Sequence, residues 1–211
     1  MKMGDAAAAR PLLERSLEHS KRVLGPEHPE VAKSMQNLAF ALNGLGISEG
    51  VGELHRQSLA IREKALGPDH PDVGQGLMNL AMHYEFQANY AEARPLYVRS
   101  LAIHEAALGK EHPQTAMVLS NLASLLRKDN DLATSTALHR RALAIYEKSL
   151  GAHHPQTGSA LSGLATNLRD QGDFAGARPL LERAIEIAEA TLGPNHTDLG
   201  RSLDSLAKVL I

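Results

Sequence analysis

The sequence predicts an all-α protein made of repeated helical hairpins, with about ten helices in all. Aromatic residues make up only 3% of the 211 residues and tryptophan is absent, whereas β-strands favour aromatic and β-branched side chains. Hydrophobic residues make up 43% and charged residues 22%, as in an ordinary folded chain. The third observation is a motif that recurs at a constant spacing of 42 residues, as from Leu24 to Leu66, which is typical of stacked repeats.

Composition also excludes several classes of function. The formal charge of −2 gives no electrostatic reason to expect nucleic acid or an anionic membrane as a partner. The absence of cysteine excludes disulfides, thiolate nucleophiles and sulfur-ligated metals. No apolar run approaches the ~20 residues that span a bilayer, and the first residues lack the apolar core of a secretory signal. We therefore expect a cytoplasmic protein with neither nucleic acid nor membrane as its partner.

Several markers share the same period across the chain. The motif Leu-Gly-x-x-His-Pro begins at Leu24, Leu66, Leu108 and Leu150, and a variant begins at Leu192. A second marker, Asn-Leu-Ala, begins at positions 37, 79 and 121, while glycine and serine replace the asparagine at positions 163 and 205. Because no insertion interrupts the register, we treat the markers as equivalent positions of one repeat.

Each repeat is predicted to contain two helices, called A and B. A glycine such as Gly25 suits the left-handed position that ends helix B, and a proline such as Pro29 suits the first turn of helix A. The predicted array runs over 1–211 without a linker. It consists of helix B of a partial repeat at 5–25, repeats at 26–67, 68–109, 110–151 and 152–193, and a final helix A at 194–211.

The run Asn79-Leu80-Ala81-Met82-His83-Tyr84, followed by Asn89-Tyr90-Ala91-Glu92-Ala93 and Leu101, resembles the tetratricopeptide repeat. The period of 42 residues and the Leu-Gly-x-x-His-Pro motif are similar to the kinesin light chain repeat. HEAT or armadillo repeats are the alternative fold. The resemblance implies a right-handed superhelical solenoid whose A helices line a concave groove that binds an extended peptide. It is a protein–protein interaction scaffold by this interpretation.

Other motifs do not indicate chemistry. The recurring histidines at 28, 70, 112, 154 and 196 lie one repeat apart, too far for a shared metal, so we expect them to order the start of helix A. Gly46-Ile47-Ser48-Glu49-Gly50 matches a nucleophile motif, but such an elbow requires a strand before the serine. We expect no enzyme activity, no cofactor and no metal.

The resemblance places one set of side chains in the groove. An asparagine carries both a donor and an acceptor, so an asparagine series could hold a peptide backbone; alternatively, these asparagines bond only to neighbouring helices. Apolar residues gather towards the N-terminal half and basic residues towards the C-terminal half. This distribution fits a partner with an apolar anchor and acidic residues. The expected binding residues are Asn37, Phe40, Met78, Asn79, Met82, Phe86, Asn121, Arg127, Lys128 and Arg169.

The two ends of the array suggest a further role. The chain begins with a B helix and stops in an A helix, so the A helix of one copy and the B helix of another could complete a repeat. Head-to-tail self-association is therefore an alternative function, since solenoid ends usually need a polar cap. The other alternative is that the sequence is a sensor or adaptor fragment of a longer signalling protein.

Overall fold

Ten α-helices and no strand make up the part of the chain that the structure, a computed structural model, describes. It describes the backbone of residues 3–211 and the side chains from residue 8 onwards. The all-α prediction with about ten helices is confirmed. The helices are α1 Met3–Leu24, α2 Pro29–Gly44, α3 Val51–Leu66, α4 Pro71–Phe86, α5 Tyr90–Leu108, α6 Pro113–Lys128, α7 Leu132–Leu150, α8 Pro155–Asp170, α9 Phe174–Thr191 and α10 Thr197–Leu210.

The recurring histidines start the A helices, as predicted. In each case the ring Nδ1 accepts a hydrogen bond from the backbone N–H two residues further on, at 3.1 to 3.2 Å. This bond satisfies one of the N–H groups that a helix start leaves without a partner. The five histidines are therefore N-caps, and the proline after His28, His70, His112 and His154 occupies the first turn.

Two of the motif glycines, Gly67 and Gly151, differ from the prediction in one respect. Gly67 has φ 86° and ψ 157°, and Gly151 has φ 95° and ψ 161°. Their φ is positive, as expected, but their ψ places them outside the left-handed helical region. This backbone region is open essentially to glycine alone, so the glycine is needed more strictly here than at an ordinary helix end.

Contacts divide the chain into two compact units, Met1–Ala107 (unit 1) and Leu108–Ile211 (unit 2). In unit 1, one core cluster forms around Met35, Leu38 and Val51, and a second forms around Leu77 and Ile103. In unit 2, Leu161 packs with Ala184 and Ile187, and a further cluster includes Leu164, Leu168 and Leu181.

Small residues lie where A helices meet their neighbours. The alanine of the Leu-Ala marker is fully buried at Ala39, Ala81, Ala123 and Ala165. A side chain this small lets two helix axes approach closely. The burial of the same position in four helices shows that the 42-residue register of the sequence is also a register of packing.

Candidate functional site

An apolar cleft opens on the surface of unit 1, with a volume of about 170 Å³. Three of its large apolar side chains are exposed although they lie side by side: Phe40 at 52%, Met82 at 42% and Phe86 at 78%. Such an exposed apolar patch is typical of an interaction surface. The lining residues of this apolar cleft are Phe40, Asn43, His55, Asn79, Met82, His83 and Phe86.

Two buried histidines belong to the apolar cleft. The ring centroids of His55 and His83 are 6.1 Å apart, and both side chains are almost fully buried. Burial, with the charges of His83 and Arg62, lowers the pKa of His55 to about 4. Burial and the charge of Arg56 also lower the pKa of His83. At neutral pH both rings are uncharged, so the cleft keeps its apolar character.

Two of the expected groove residues in unit 1, Met78 and Asn79, are buried. Met78 is only 3% exposed, so the expectation that it faces a groove is wrong: it lies in the core. Asn79 is 5% exposed, and its Oδ1 accepts a hydrogen bond of 3.0 Å from Gln75 Nε2. Asn37 is exposed and does not line the apolar cleft.

A larger polar groove lies within unit 2, with a volume of about 580 Å³, in the range of ligand-binding sites. Its walls come from α6, α8 and α10, the three A helices of this unit, and from α7 and α9. Hydroxyl groups dominate its polar lining. They belong to Ser120, Ser124, Tyr146, Ser159, Ser162, Thr166, Ser202 and Ser205.

Asn121 lines this polar groove with its amide unused. The side chain is half-buried, and within the described residues it makes no hydrogen bond, unlike Asn79. An amide in this state keeps two donors and an acceptor ready for a ligand. The alternative interpretation, that the asparagines bond to neighbouring helices, does not describe Asn79, because its partner Gln75 lies on the same helix α4; Asn121 keeps its bonding capacity.

The next position of the series, Gly163, lies against a buried histidine. A Cβ at Gly163 would lie 2.5 Å from Nε2 of His139. The Nδ1 edge of that ring faces the Ser135 carbonyl oxygen and the side-chain amide of Asn167, each at 3.3 Å, so Nε2 is the edge turned towards Gly163. Burial lowers the pKa of His139 to about 4. The ring occupies the space in which an asparagine side chain would begin.

The expected basic residues are partly neutralised by the chain itself. Arg127 Nη1 lies 2.8 Å from Asp170 Oδ2, and Arg169 Nη2 lies 2.6 Å from Asp170 Oδ1. Burial raises the pKa of Asp170, but the hydrogen bonds from Arg169 and Arg127 outweigh it and lower that pKa overall. Two guanidinium groups therefore share one carboxylate, which leaves one positive charge. Arg127 lines the polar groove, whereas Lys128 and Arg169 are not among its lining residues.

Three residues that matter here were not expected from the sequence: His55, His83 and His139. A signal was present, since His55 and His139 occupy the same repeat position, two repeats apart. Their roles depend on which neighbours bury them, and that information is not in the spacing of the markers.

No group of three or more histidine, aspartate or glutamate side chains that could hold a metal occurs in the described part of the chain. Among residues 3–211, no helix is both long and apolar enough to cross a bilayer.

These features define the class of protein: paired helices in a fixed register, with open surfaces formed by A helices. Two family models described as tetratricopeptide repeat match the sequence. One matches residues 1–46, 72–148, 115–190 and 156–211, and the other matches residues 31–72. The chain belongs to the tetratricopeptide repeat family, and its fold is that of a protein-interaction scaffold, a fold that is typically not enzymatic.

Solved structures support kinesin light chain-like repeats. A crystal structure from Podosopora anserina, of nearly identical TPR-like repeats of a kinesin light chain-like protein, is 28% identical, with a TM-score of 0.72 and coverage of 89% of each chain. A single-substitution variant of that protein has the same identity, a TM-score of 0.75 and coverage of 90% of each chain. BtubC (BKLC) from P. vanneervenii is 23% identical, with a TM-score of 0.77, and the match covers 93% of this chain and 78% of the BtubC chain. This similarity shows a shared fold alone. No curated protein matches the sequence.

Proposed function

We propose that this protein binds an extended segment of a partner protein in the polar groove of unit 2. The observation that carries the proposal is the unused amide of Asn121 in a groove of about 580 Å³ lined by hydroxyl groups. An extended peptide presents backbone N–H and C=O groups along both edges, and each needs a partner when it is buried. The Asn121 amide can donate and accept, and the hydroxyl oxygens of Ser124, Ser159 and Thr166, which already donate to their own helices, can still accept. These groups therefore suit a backbone whatever its sequence.

The charge of the groove adds a preference for acidic residues. Arg127 and Arg169 share the single carboxylate of Asp170, so an acidic side chain of the partner could bond to the guanidinium of Arg127. The preference is modest, because Asp170 already takes up one of the two positive charges. Arg201 and Lys208 also have acidic neighbours, Asp198 and Asp204.

The apolar cleft of unit 1 is proposed as a second contact, for an apolar side chain of a partner. Phe40, Met82 and Phe86 offer exposed apolar surface, and methionine adapts its shape to different side chains. Burying apolar surface stabilises binding by about 25 cal/mol per Å². We keep three further expected binding residues, for which no such apolar or polar contact is proposed: Asn37, Asn79 and Lys128. Met78 is left out because it is buried.

A peptide array comparing three proteins tests the proposal. The array is probed with the wild type, with Asn121→Ala and with the control Asn195→Ala, whose exposed asparagine lies in the loop before α10. We expect Asn121→Ala to lower affinity about five- to tenfold for most bound peptides, since a net hydrogen bond is worth about 1 kcal/mol. The control should bind as the wild type does.

Two results would contradict the proposal. One is unchanged binding by Asn121→Ala for every peptide that the wild type holds. The other is an equal loss for both variants, which would point to a general effect on the fold. Circular dichroism of each variant shows whether an equal loss of binding is accompanied by a loss of helical structure.

A further inference from the structure

The asparagine series of the A helices is interrupted inside the polar groove. Asn121 of α6 lines this groove, but the residue at the same repeat position of α8 is Gly163, which has no side chain. Gly163 is half-buried and also lines the groove. A peptide held by Asn121 would therefore meet bare helix backbone one repeat further on, unless another element supplies a polar group there.

A histidine of the B helix α7 lies behind this glycine. His139 lines the same polar groove, although its ring is only 3% exposed. Its Nε2 lies 2.5 Å from the place that a Cβ on Gly163 would take. Hydrogen-bonded nitrogen and oxygen atoms lie about 2.7–3.2 Å apart, so a ligand atom slightly farther out than that place would be at hydrogen-bond distance. The missing side chain of Gly163 thus leaves the Nε2 edge open to a ligand.

The other edge of the ring is already in use. Nδ1 of His139 faces the Ser135 carbonyl oxygen and the side-chain amide nitrogen of Asn167, each at 3.3 Å. Nε2 makes no hydrogen bond with a residue whose side chain the structure describes. We propose that Nε2 of His139 replaces the missing asparagine and bonds to the backbone of the partner segment beside Gly163. This inference rests on the function proposed above, and it adds a second point at which the polar groove holds that backbone.

Buried neighbours from two further helices fix the ring. Asn167 of α8 is fully buried, and its Nδ2 donates to Ser135 Oγ at 2.5 Å. Ser135 Oγ in turn donates to the carbonyl oxygen of Ala123 in α6 at 2.6 Å. Because these partners hold the imidazole in place, the ring loses little freedom when a ligand bonds to it, and this lowers the cost of binding.

The charge of the ring suits a backbone group better than an ion. Burial lowers the pKa of His139 to about 4, so the ring is neutral at pH 7. A neutral imidazole has one donor and one acceptor nitrogen, and Nε2 carries the function that Nδ1 does not. Each residue of an extended peptide presents both an N–H and a C=O. The backbone therefore offers a partner for either form of the ring.

Unit 1 has the other combination of residues at these two repeat positions. His55 occupies the position of His139, and Asn79 occupies that of Gly163. Asn79 keeps its own side chain, whose Oδ1 accepts a hydrogen bond from Gln75. A histidine and a glycine thus occur together in unit 2, as the proposal requires, whereas in unit 1 the asparagine is still present.

The distance between the two contacts gives a measurable expectation. Asn121 and Gly163 lie on α6 and α8, which are in contact, and packed helices lie about 8–10 Å apart. An extended chain rises about 3.3 Å per residue. The backbone groups that bond to Asn121 and to His139 should therefore lie about three residues apart in the bound segment.

An ester scan of a peptide selected on the array tests the proposal. Each peptide of the scan replaces one backbone amide by an ester, which removes an N–H and weakens the neighbouring carbonyl acceptor. For the wild type we expect two positions, about three residues apart, at which the ester lowers affinity about three- to tenfold. His139→Leu should lose sensitivity at one of these positions, and Asn121→Ala should lose it at the other.

Matched controls separate the contact from a general effect on the fold. His104 is a buried histidine of unit 1 that lines neither the apolar cleft nor the polar groove, so His104→Leu should keep both sensitive positions. Gly163→Ala keeps the imidazole but places a methyl group against Nε2, so it should lose the same position as His139→Leu. Gly200→Ala, whose Cβ would meet no atom within 4 Å, should keep both positions.

Nuclear magnetic resonance of the wild type gives a readout that needs no variant, because ¹⁵N-labelled histidine reports on each ring nitrogen. Saturating peptide should shift the Nε2 resonance of His139 and leave that of His104 in place. An unmoved His139 Nε2 resonance would overturn the inference, as would a His139→Leu protein that keeps both sensitive positions. Either result leaves the proposed function standing while one ester position still depends on Asn121. A scan in which no ester weakens binding would contradict both proposals.

Discussion

Units 1 and 2 place opposite chemistry at the same repeat positions. Phe40 and Met82 line the apolar cleft of unit 1, whereas the equivalent residues of unit 2, Ser124 and Thr166, line the polar groove. The helices that carry them start with the same histidine cap and bury the same alanine. The hairpin framework therefore stays constant while a few outward positions decide what each surface can bind.

The histidines show a second side of this comparison. His55 of unit 1 and His139 of unit 2 occupy the same repeat position and are both buried. His55 faces a second histidine in the apolar cleft, whereas Nε2 of His139 faces Gly163. A histidine at the same repeat position thus contributes to an apolar surface in unit 1, whereas in unit 2 its ring fills the space where an asparagine side chain at position 163 would begin.

The largest expected effect is a loss of stability in mild acid. The pKa of His55 and of His139 is about 4 in the folded protein and about 6.5 in an unfolded chain. Between these values the unfolded state binds more protons than the folded state. The contribution of each histidine to the free energy of unfolding is therefore fully present above pH 6.5 and is lost as the pH falls towards 4. Each histidine contributes up to about 3 kcal/mol. Urea unfolding across this pH range should show that loss.

A variant in one unit separates the two histidines. His139→Leu places the residue found at the equivalent Leu181 and should remove the part of the pH dependence that His139 contributes, while the parts from His55 and His83 stay. A pH profile identical to that of the wild type would show that the pKa of His139 is the same in the folded and in the unfolded protein.

A smaller effect is expected from two glycines in A helices. Gly163→Ala should destabilise the protein by about 1–2 kcal/mol, because its Cβ would lie 2.5 Å from the buried His139 ring and force it to move. Gly200→Ala meets no atom within 4 Å and should stabilise α10 by about 0.5–1 kcal/mol. Thermal unfolding at low protein concentration measures both. Equal gains for the two variants would show that the His139 ring moves aside freely.

The apolar surface of unit 1 should bind an environment-sensitive hydrophobic dye. Phe86→Ser should lower dye fluorescence clearly, yet change the free energy of unfolding by less than about 0.5 kcal/mol, because Phe86 is 78% exposed. Val98→Ser, an exposed apolar residue outside the cleft, is the control. If both variants lower the fluorescence equally, the dye reports general exposure and not the cleft.

The smallest effect concerns the charge of the polar groove. Asp170→Asn removes the carboxylate that Arg127 and Arg169 share. An acidic peptide selected on the array should then bind about threefold more tightly at low salt, and the gain should vanish at high salt. Asp69→Asn, an exposed change in the other unit, should have no such effect. Weaker binding of the acidic peptide by Asp170→Asn would show that Asp170 holds Arg127 in position.

The repeat register made most of the fold predictable. Because the markers keep one period, they gave the number of helices, their capping histidines and the buried alanines such as Ala81. The ψ angle of Gly67 was not predictable in this way, since composition at a helix end indicates only a positive φ.

The candidate site was less predictable than the fold. Positions such as Met82 and Asn121 follow from the register, but the depth of a side chain depends on its neighbours. Met78 is buried, although the residue at the same position of the next repeat, Ser120, lines an open groove. The pairing of Arg127 with Asp170 was equally hidden, because those residues lie on different helices.

The most direct test of peptide binding follows the Asn121 side-chain amide by nuclear magnetic resonance. A ¹⁵N-labelled protein is titrated with a peptide selected on the array, and the resonances of Asn121 and Asn195 are compared. If the polar groove holds the peptide backbone, the Asn121 amide resonances shift with the peptide concentration and those of Asn195 do not. Saturating peptide that leaves the Asn121 resonances in place would contradict this account.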